Sequence, residues 1–265
     1  MAYVTVNGLN LWYERKGDGP PLLFINGTGG DLRRRPGPMD GPLAKRFDMV
    51  AYDQRGLGQS DKPDGPYSMA DYADDAAGLL DELDWATAHV VGVSFGGMVA
   101  QNLAVRHPGR VARLVLCCTS PGGAGGSSYP LHSLAEMEPE ARARHMIGVS
   151  DRRRDAAWQA AHPEQVEALV RMAVDDPWAS EPRRRLGAAL QLQARAGHDV
   201  WDALPQLTMP TLICAGRYDD LAPPSAQEAL AGRIPGAQLR WYEGGHLFLL
   251  EDRAAFADII AFLED

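Results

Sequence analysis

An α/β fold, with a mostly parallel eight-stranded sheet flanked by helices and interrupted by a helical insertion, is what this sequence predicts. Three observations predict it. Short apolar runs recur along the chain and are closed by Gly, Pro or Asp, as buried strands are. From the third run onward they alternate with helical stretches, the arrangement that goes with parallel strands. One block in the middle, rich in Arg, Ala and Glu, breaks the rhythm.

Strands are predicted at 2–6, 9–14, 21–25, 48–52, 89–93, 111–117, 211–215 and 238–242. The first two form a hairpin around Asn7-Gly8, a strong turn signal. Pro21 to Ile25 and Thr211 to Ala215 read as short, fully buried strands. The stretch 69–83 reads as a helix, with small or apolar residues at Met69, Tyr72, Ala73, Ala76, Leu80 and Leu83 and a Ser68/Asp71 capping box. A second box, Ser225 and Glu228, is expected to open the helix after 211–215. The last helix is expected to bury Phe256, Ile259, Ile260 and Leu263. The segment 122–200 is set apart: Pro121 to Ser128 reads as a flexible linker, and Pro139, Pro163, Pro177 and Pro182 punctuate the helices beyond it.

The chemistry begins at Gly92-Val93-Ser94-Phe95-Gly96, which follows the apolar run His89-Val90-Val91 and opens a helical stretch. A G-x-S-x-G pentapeptide between strand and helix holds its serine on a sharp turn, projected off the sheet edge, with glycines that let strand and helix close around it. Two partners follow in order. Asp219 stands just past strand 211–215, and His246 just past strand 238–242. All three lie beyond the carboxyl ends of parallel strands, the edge at which such sheets place their ligands. A serine hydroxyl needs a base to be nucleophilic at neutral pH, a histidine can take and return the proton, and a carboxylate fixes the imidazole tautomer. Asp219 and Asp220 compete for the last role. Asp219, three residues after Gly216, is preferred, and Asp220 is read as a capping or solvated carboxylate.

Acyl transfer also needs donors for a developing oxyanion. The backbone N–H of Phe95 is one. The second is assigned to Asn26-Gly27-Thr28-Gly29-Gly30, whose glycines allow close backbone approach; the Thr28 N–H is preferred over that of Gly29. A nucleotide-binding loop is the competing reading, but no G-x-x-x-x-G-K-[ST] is present and Leu32 stands where G-x-G-x-x-G needs Gly. The other six of the seven histidines lack ligand spacing, so neither a metal nor a cofactor is expected.

With Asp53-Gln54-Arg55-Gly56-Leu57-Gly58-Gln59-Ser60, the Ser94 turn, Pro210-Thr211-Leu212 leading to Asp219, and Gly244-Gly245-His246, the chain resembles the α/β-hydrolase superfamily. Within it the resemblance is to cap-bearing lactonases, carboxylesterases, perhydrolases and carbon–carbon bond hydrolases, and it is weakest in the middle third. It implies Ser94 as nucleophile, Asp219 as acid, His246 as base, and Thr28 and Phe95 as oxyanion donors. It implies a core domain at 1–121 and 201–265 and a helical cap at 122–200. Related dehalogenases and epoxide hydrolases carry Asp at the nucleophile position, so a serine points to an acyl-enzyme and to ester or lactone substrates. Carbon–carbon hydrolysis or perhydrolysis on the same triad is the alternative. An intact triad argues against a non-catalytic receptor on this fold. The family usually begins its oxyanion loop with His-Gly, whereas Asn26-Gly27 stands here; Asn can still shape the loop through backbone hydrogen bonds.

Gly29 and, from the middle segment, Met146, Trp158 and Trp178 are candidate substrate contacts, with Met137 and Met172 as further pocket candidates. The arginine runs 152–154 and 183–185 are expected to be solvated, and Arg33-Arg34-Arg35 to be available to a substrate carboxylate. A net charge of −9, from 35 acidic and 26 basic residues, argues against nucleic acid as a partner. No apolar run approaches a membrane span, and the N-terminus enters a strand pattern instead of a signal peptide. Three cysteines placed in or at the ends of strands read as core thiols of a reducing, cytoplasmic compartment.

Overall fold

The computed structural model describes residues 1–265. Its one sheet contains β1 (Ala2–Val6), β2 (Leu9–Lys16), β3 (Pro21–Ile25), β4 (Asp48–Tyr52), β5 (Ala88–Val93), β6 (Val111–Cys117), β7 (Thr211–Gly216) and β8 (Gln238–Tyr242). The spatial order is β1-β2-β4-β3-β5-β6-β7-β8. β1 and β2 are antiparallel around Asn7 and Gly8, both at positive φ, and β2 is antiparallel to β4. Every pair from β4 to β8 is parallel. The alternation of strands with helices therefore gives the sheet it should.

The parallel strands are buried on both faces, which is why they read as unbroken apolar runs. Successive residues go to opposite sides. Leu23, Ile25, Val90, Leu114, Leu116 and Ile213 join a 36-residue cluster with α1 (Met69–Glu82) and α2 (Phe95–Arg106). Leu22, Phe24, Val91, Val115, Leu212 and Cys214 join a 21-residue cluster on the other face. The Ser68/Asp71 capping box is present, with Ser68 Oγ accepting from the Asp71 N–H at 3.1 Å.

Between β6 and β7 lie α3 (Pro139–Ser150), α4 (Ala156–Ala161), α5 (Pro163–Val174) and α6 (Arg184–Ala196). Pro139 and Pro163 start helices, where their missing N–H costs nothing. α3 and α5 share a separate core of four residues, Ala143, Ile147, Val166 and Val170. α6 instead docks on the main domain through Leu190 and Ala194, which join the 36-residue cluster with Val200, and polar contacts add to this. Arg152, Arg153, Arg183 and Arg185 are exposed as a solvated face requires, but the runs are also paired: Arg152 with Asp220, Arg153 and Arg154 with Asp151 and Glu251, and the less exposed Arg184 with Asp31 and Asp176.

Three further expectations are corrected. The glycine-rich 122–126 stretch is an ordered turn: Gly122 bridges to Asp199, and the Val200 N–H donates to the Pro121 carbonyl at 3.0 Å. The Ser225/Glu228 box is absent, because α7 (Pro224–Arg233) begins two residues earlier than that box would place it and is capped by Pro223 without a side-chain bond. After the short α8 (Phe248–Glu251), α9 (Ala254–Glu264) buries Ala255, Ile259, Phe262 and Leu263; Phe256 and Ile260 are only partly covered. No helix is long and apolar enough to cross a membrane.

Candidate active site

Ser94 caps α2 at φ 56°, ψ −115°, a left-handed-side conformation that a non-glycine residue holds only under constraint. The constraint comes from both sides. Ser94 N–H donates to the Cys117 carbonyl at 2.8 Å, and Thr119 Oγ1 donates to the Ser94 carbonyl at 2.8 Å. A Cβ on Gly92 would fall on Gly96, and one on Gly96 would fall on the Ile25 carbonyl, so both glycines are steric requirements. The half-buried Ser94 hydroxyl thus stands at the carboxyl edge of β5, central in the sheet.

His246 Nε2 lies 2.9 Å from Ser94 Oγ, and His246 Nδ1 lies 2.7 Å from Asp219 Oδ2. Asp219, 1% exposed, uses its other oxygen to accept from the Leu221 and Ala222 N–H groups at 2.8 and 2.9 Å. Asp220 is exposed and meets Arg152 at 3.3 Å. The three residues singled out in the sequence are therefore brought together in series, and the choice between adjacent aspartates is decided by burial and direction.

Beside them runs the loop 26–30. A Cβ on Gly27 would sit 3.4 Å from Ser94 Cβ, so the loop passes directly against the serine. It is closed by Gly30 N–H donating to the Gly27 carbonyl at 3.2 Å, and Gly29 is at φ 70°. Gln54 Nε2 supports it by donating to the Asn26 carbonyl at 2.9 Å. The Thr28 N–H donates to no group of the chain. Phe95, the first residue of α2, has no preceding helical carbonyl to bond. The Gly29 N–H is taken, 2.9 Å from Gln191 Oε1 on α6.

The segment 53–60 props this loop from below. Asp53 Oδ1 accepts from the Leu32 N–H at 2.7 Å and Oδ2 from the Gln59 N–H at 2.9 Å. Burial nevertheless pushes the Asp53 carboxyl up to about 6, against the pull of those amides.

Several expected substrate contacts have other partners. Trp158 stacks on His162 at 4.5 Å, and Trp178 lies under the Arg33 guanidinium at 4.2 Å. Met146 is half-buried on α3. None of these contacts links Trp158 or Trp178 to Ser94. Arg33 is not free for a substrate: it binds Asp31 at 2.8 Å and Glu181 at 2.5 Å, while Arg35 binds Glu14 at 2.8 Å.

Three residues near the site escaped the sequence reading. Gln191 left a visible signal: it is a polar residue at the 3.6-residue repeat of Gly187, Leu190 and Ala194, the buried stripe of α6. Ser150, whose carbonyl accepts from the His246 N–H at 2.6 Å, left none, since any residue could supply that carbonyl. Cys118, at φ 41°, places Sγ within 4.8 Å of ligand atoms of Asp219 and His246. That trio has metal-ligand types, but both Asp219 oxygens and both His246 nitrogens are already committed. The Cys118 thiol is held neutral by burial and by the Asp219 charge.

A family model for the alpha/beta hydrolase fold matches residues 20–253. The chain belongs to that family. This hydrolase is 33% identical over 248 residues to a poly(3-hydroxyalkanoate) depolymerase of Ectopseudomonas oleovorans, covering 91% of this chain and 82% of the relative. It is 32% identical over 272 residues to a 2-hydroxymuconate semialdehyde hydrolase of Pseudomonas sp. strain CF600, covering 97% and 91%. Among solved structures, the enol-lactonase of Burkholderia xenovorans LB400 superposes with a TM-score of 0.80 at 28% identity, covering 100% of both chains.

Proposed function

We propose that this hydrolase cleaves a small carboxylic ester or lactone through an acyl-enzyme on Ser94. The observation that carries the reading is the unbroken series Ser94 Oγ, His246 ring, Asp219 carboxylate, at 2.9 and 2.7 Å. Ser94 Oγ attacks the carbonyl carbon while its proton passes to His246 Nε2. Asp219 holds the Nδ1–H tautomer and balances the imidazolium. The oxyanion accepts from the Thr28 and Phe95 N–H groups. His246 then protonates the departing alkoxide, leaving an acyl ester on Ser94. Water, deprotonated by the same Nε2, attacks that ester and releases the carboxylate and the free serine. No oxidant, metal or cofactor enters this balance.

Segment 122–200 acts in this reading as a cap over the site. Two contacts support that role: Gln191 reaches the oxyanion loop, and Ser150 reaches the histidine loop. The partner is a small molecule and neither nucleic acid nor membrane, and the compartment is cytoplasmic, in keeping with three free buried cysteines. Ser94→Ala is expected to fold normally and lose at least about 10³-fold in turnover of short p-nitrophenyl esters and simple lactones. A fluorophosphonate should label the Ser94 peptide of the wild type. Undiminished turnover in the alanine variant refutes the mechanism. A panel adding vinylogous diketones, and acetate with peroxide, separates carbon–carbon hydrolysis and perhydrolysis on the same triad.

A further inference from the structure

The buried stripe of α6 carries a second polar residue, one turn beyond Gln191. Arg195, 6% exposed, is the one arginine of the chain in the buried class, and it makes no ion pair. Shallower arginines are matched: Arg55 meets Asp75 at 2.6 Å, and Arg184 meets Asp176 at 2.7 Å. Arg195 has only neutral acceptors, the Tyr129 carbonyl on Nη1 at 2.8 Å and the Ser128 hydroxyl on Nη2 at 2.6 Å; its Nε has none. Burial pulls its pKa down to about 10, which leaves it charged at neutral pH. A buried, uncompensated cation is costly and is ordinarily paired.

Arg195 borders a cavity of about 120 Å³, whose lining also includes Met98, Ser120, Ser127, Ser128 and His198. No carboxylate is among the lining residues, although the chain has 35 acidic side chains. Asp199, next to the lining in sequence, is exposed and accepts from the Trp201 N–H. One water needs about 10–15 Å³ of such space, so the cavity admits a group of several heavy atoms. Its free valences are donors. Nη1 and Nη2 each keep one N–H, a forked pair that matches an oxyanion. Ser128 Oγ accepts from Arg195, and Ser120 Oγ accepts from the Ser128 N–H at 3.0 Å, so both hydroxyl protons remain to be donated. His198 is wall, not ligand: its nitrogens are used by Asn102 and by the Ser120 carbonyl.

We propose that this cavity binds a small oxyanion, a carboxylate or inorganic phosphate, through the Arg195 guanidinium and the Ser128 and Ser120 hydroxyls. The site sits where the ordered 120–130 segment meets the end of α6, the joint between insertion and main domain. An anion there supplies the missing counter-charge and ties the two chain segments of that joint together. The inference stands apart from the triad and does not depend on the substrate assigned to it.

The test is thermal unfolding of the full chain titrated with sodium phosphate and, separately, sodium acetate, with ionic strength held constant by chloride. At about ten times the dissociation constant the occupant should raise the melting temperature by about 3–6 °C, the rise growing with the logarithm of anion concentration above that point. A response to acetate alone identifies a carboxylate site, and one to phosphate alone a phosphate site. Arg195→Gln should abolish the response and Ser128→Ala should weaken it severalfold, whereas Ser94→Ala should retain it. The proposal is overturned if neither anion raises the wild-type melting temperature beyond the chloride control, or if Arg195→Gln responds like the wild type. It is equally overturned if Ser94→Ala loses the response, which puts the anion at the reactive serine. Should Arg195→Gln fail to fold, Ser128→Ala decides, and an undiminished rise there overturns the proposal.

Discussion

Gln191→Leu separates the stability of this molecule from its rate. In the wild type Gln191 Oε1 accepts from the Gly29 N–H at 2.9 Å, while its Nε2 is buried with no partner. The bond contributes about 1 kcal/mol net, and the orphaned donor costs about 1–3 kcal/mol. Leucine removes both, and the Gly29 N–H it leaves behind belongs to an exposed residue that water can reach, so the variant should be as stable as the wild type or more stable by up to about 2 kcal/mol. The rate should move the other way. With the Thr28 N–H as the proposed oxyanion donor, freeing the adjoining Gly29 peptide should loosen its hold on the oxyanion. Outright removal of such a donor costs about 10²–10³ in kcat, and loosening one should cost roughly tenfold. Thermal melts and steady-state kinetics on p-nitrophenyl acetate are the assays, with KM expected to change less than about twofold. Gln191→Glu keeps an acceptor for Gly29 and discards Nε2, and should recover most of the rate. A wild-type kcat in Gln191→Leu, or a melting temperature lowered by more than about 5 °C, refutes this account.

Two further outcomes follow from the geometry. Asp219→Asn should lower ester turnover by about 10³–10⁴-fold, while Asp220→Asn, exposed and paired only with Arg152, should change it less than about twofold; equal losses would undo the assignment. Between pH 4 and 6.5 the buried groups of the wild type oppose each other, Asp53 against His198 and, by direction, the half-buried His89. The Asp53 carboxyl is raised to about 6, so the native state holds its proton more tightly than the unfolded chain and stability falls as pH rises from about 4 to 6. Burial lowers His198 to about 4, so stability rises with pH between about 4 and 6.5. Each effect is about 3 kcal/mol. His198→Gln should therefore tilt the profile downward toward high pH relative to the wild type, by up to about 2–3 kcal/mol from pH 4.5 to 6.5 in denaturant titrations; an unchanged profile contradicts it.

The strands and the Ser94–His246–Asp219 hydrogen-bonded series were legible because each leaves a local mark. A strand buried on both faces is an apolar run whatever its neighbours, and Ser94 sits in a turn whose glycines are dictated by contacts to Ile25 and Gly96. Asp219 and His246 could be found because the carboxyl ends of parallel strands are recognisable in the chain. What failed was pairing. Arg33 looks the same in sequence whether it awaits a substrate or is held by Asp31 and Glu181, which lie 148 residues apart from it in the latter case. The same holds for Arg152 to Arg154 and for Trp178, whose partners come from distant segments. Ser225 failed for a different reason: a Pro at 224 had already started the helix, so the serine fell inside it.

The insertion shows why pairing matters more here than composition. With four core residues of its own it cannot be a self-sufficient unit, yet it supplies the Ser150 carbonyl that holds the His246 backbone and the Gln191 oxygen that holds the oxyanion loop. Its α6 does this by placing Gln191 and Arg195 on a stripe that hydrophobic patterning would fill with Leu or Ala. Both substitutions for an apolar residue are destabilising unless the group is used, Gln191 through half of its amide and Arg195 through only two of its five donors. Polar residues at core positions of an amphipathic helix are therefore the sequence mark by which such an insertion reveals where it meets the rest of the chain. In this chain the two instances point to opposite ends of the same joint.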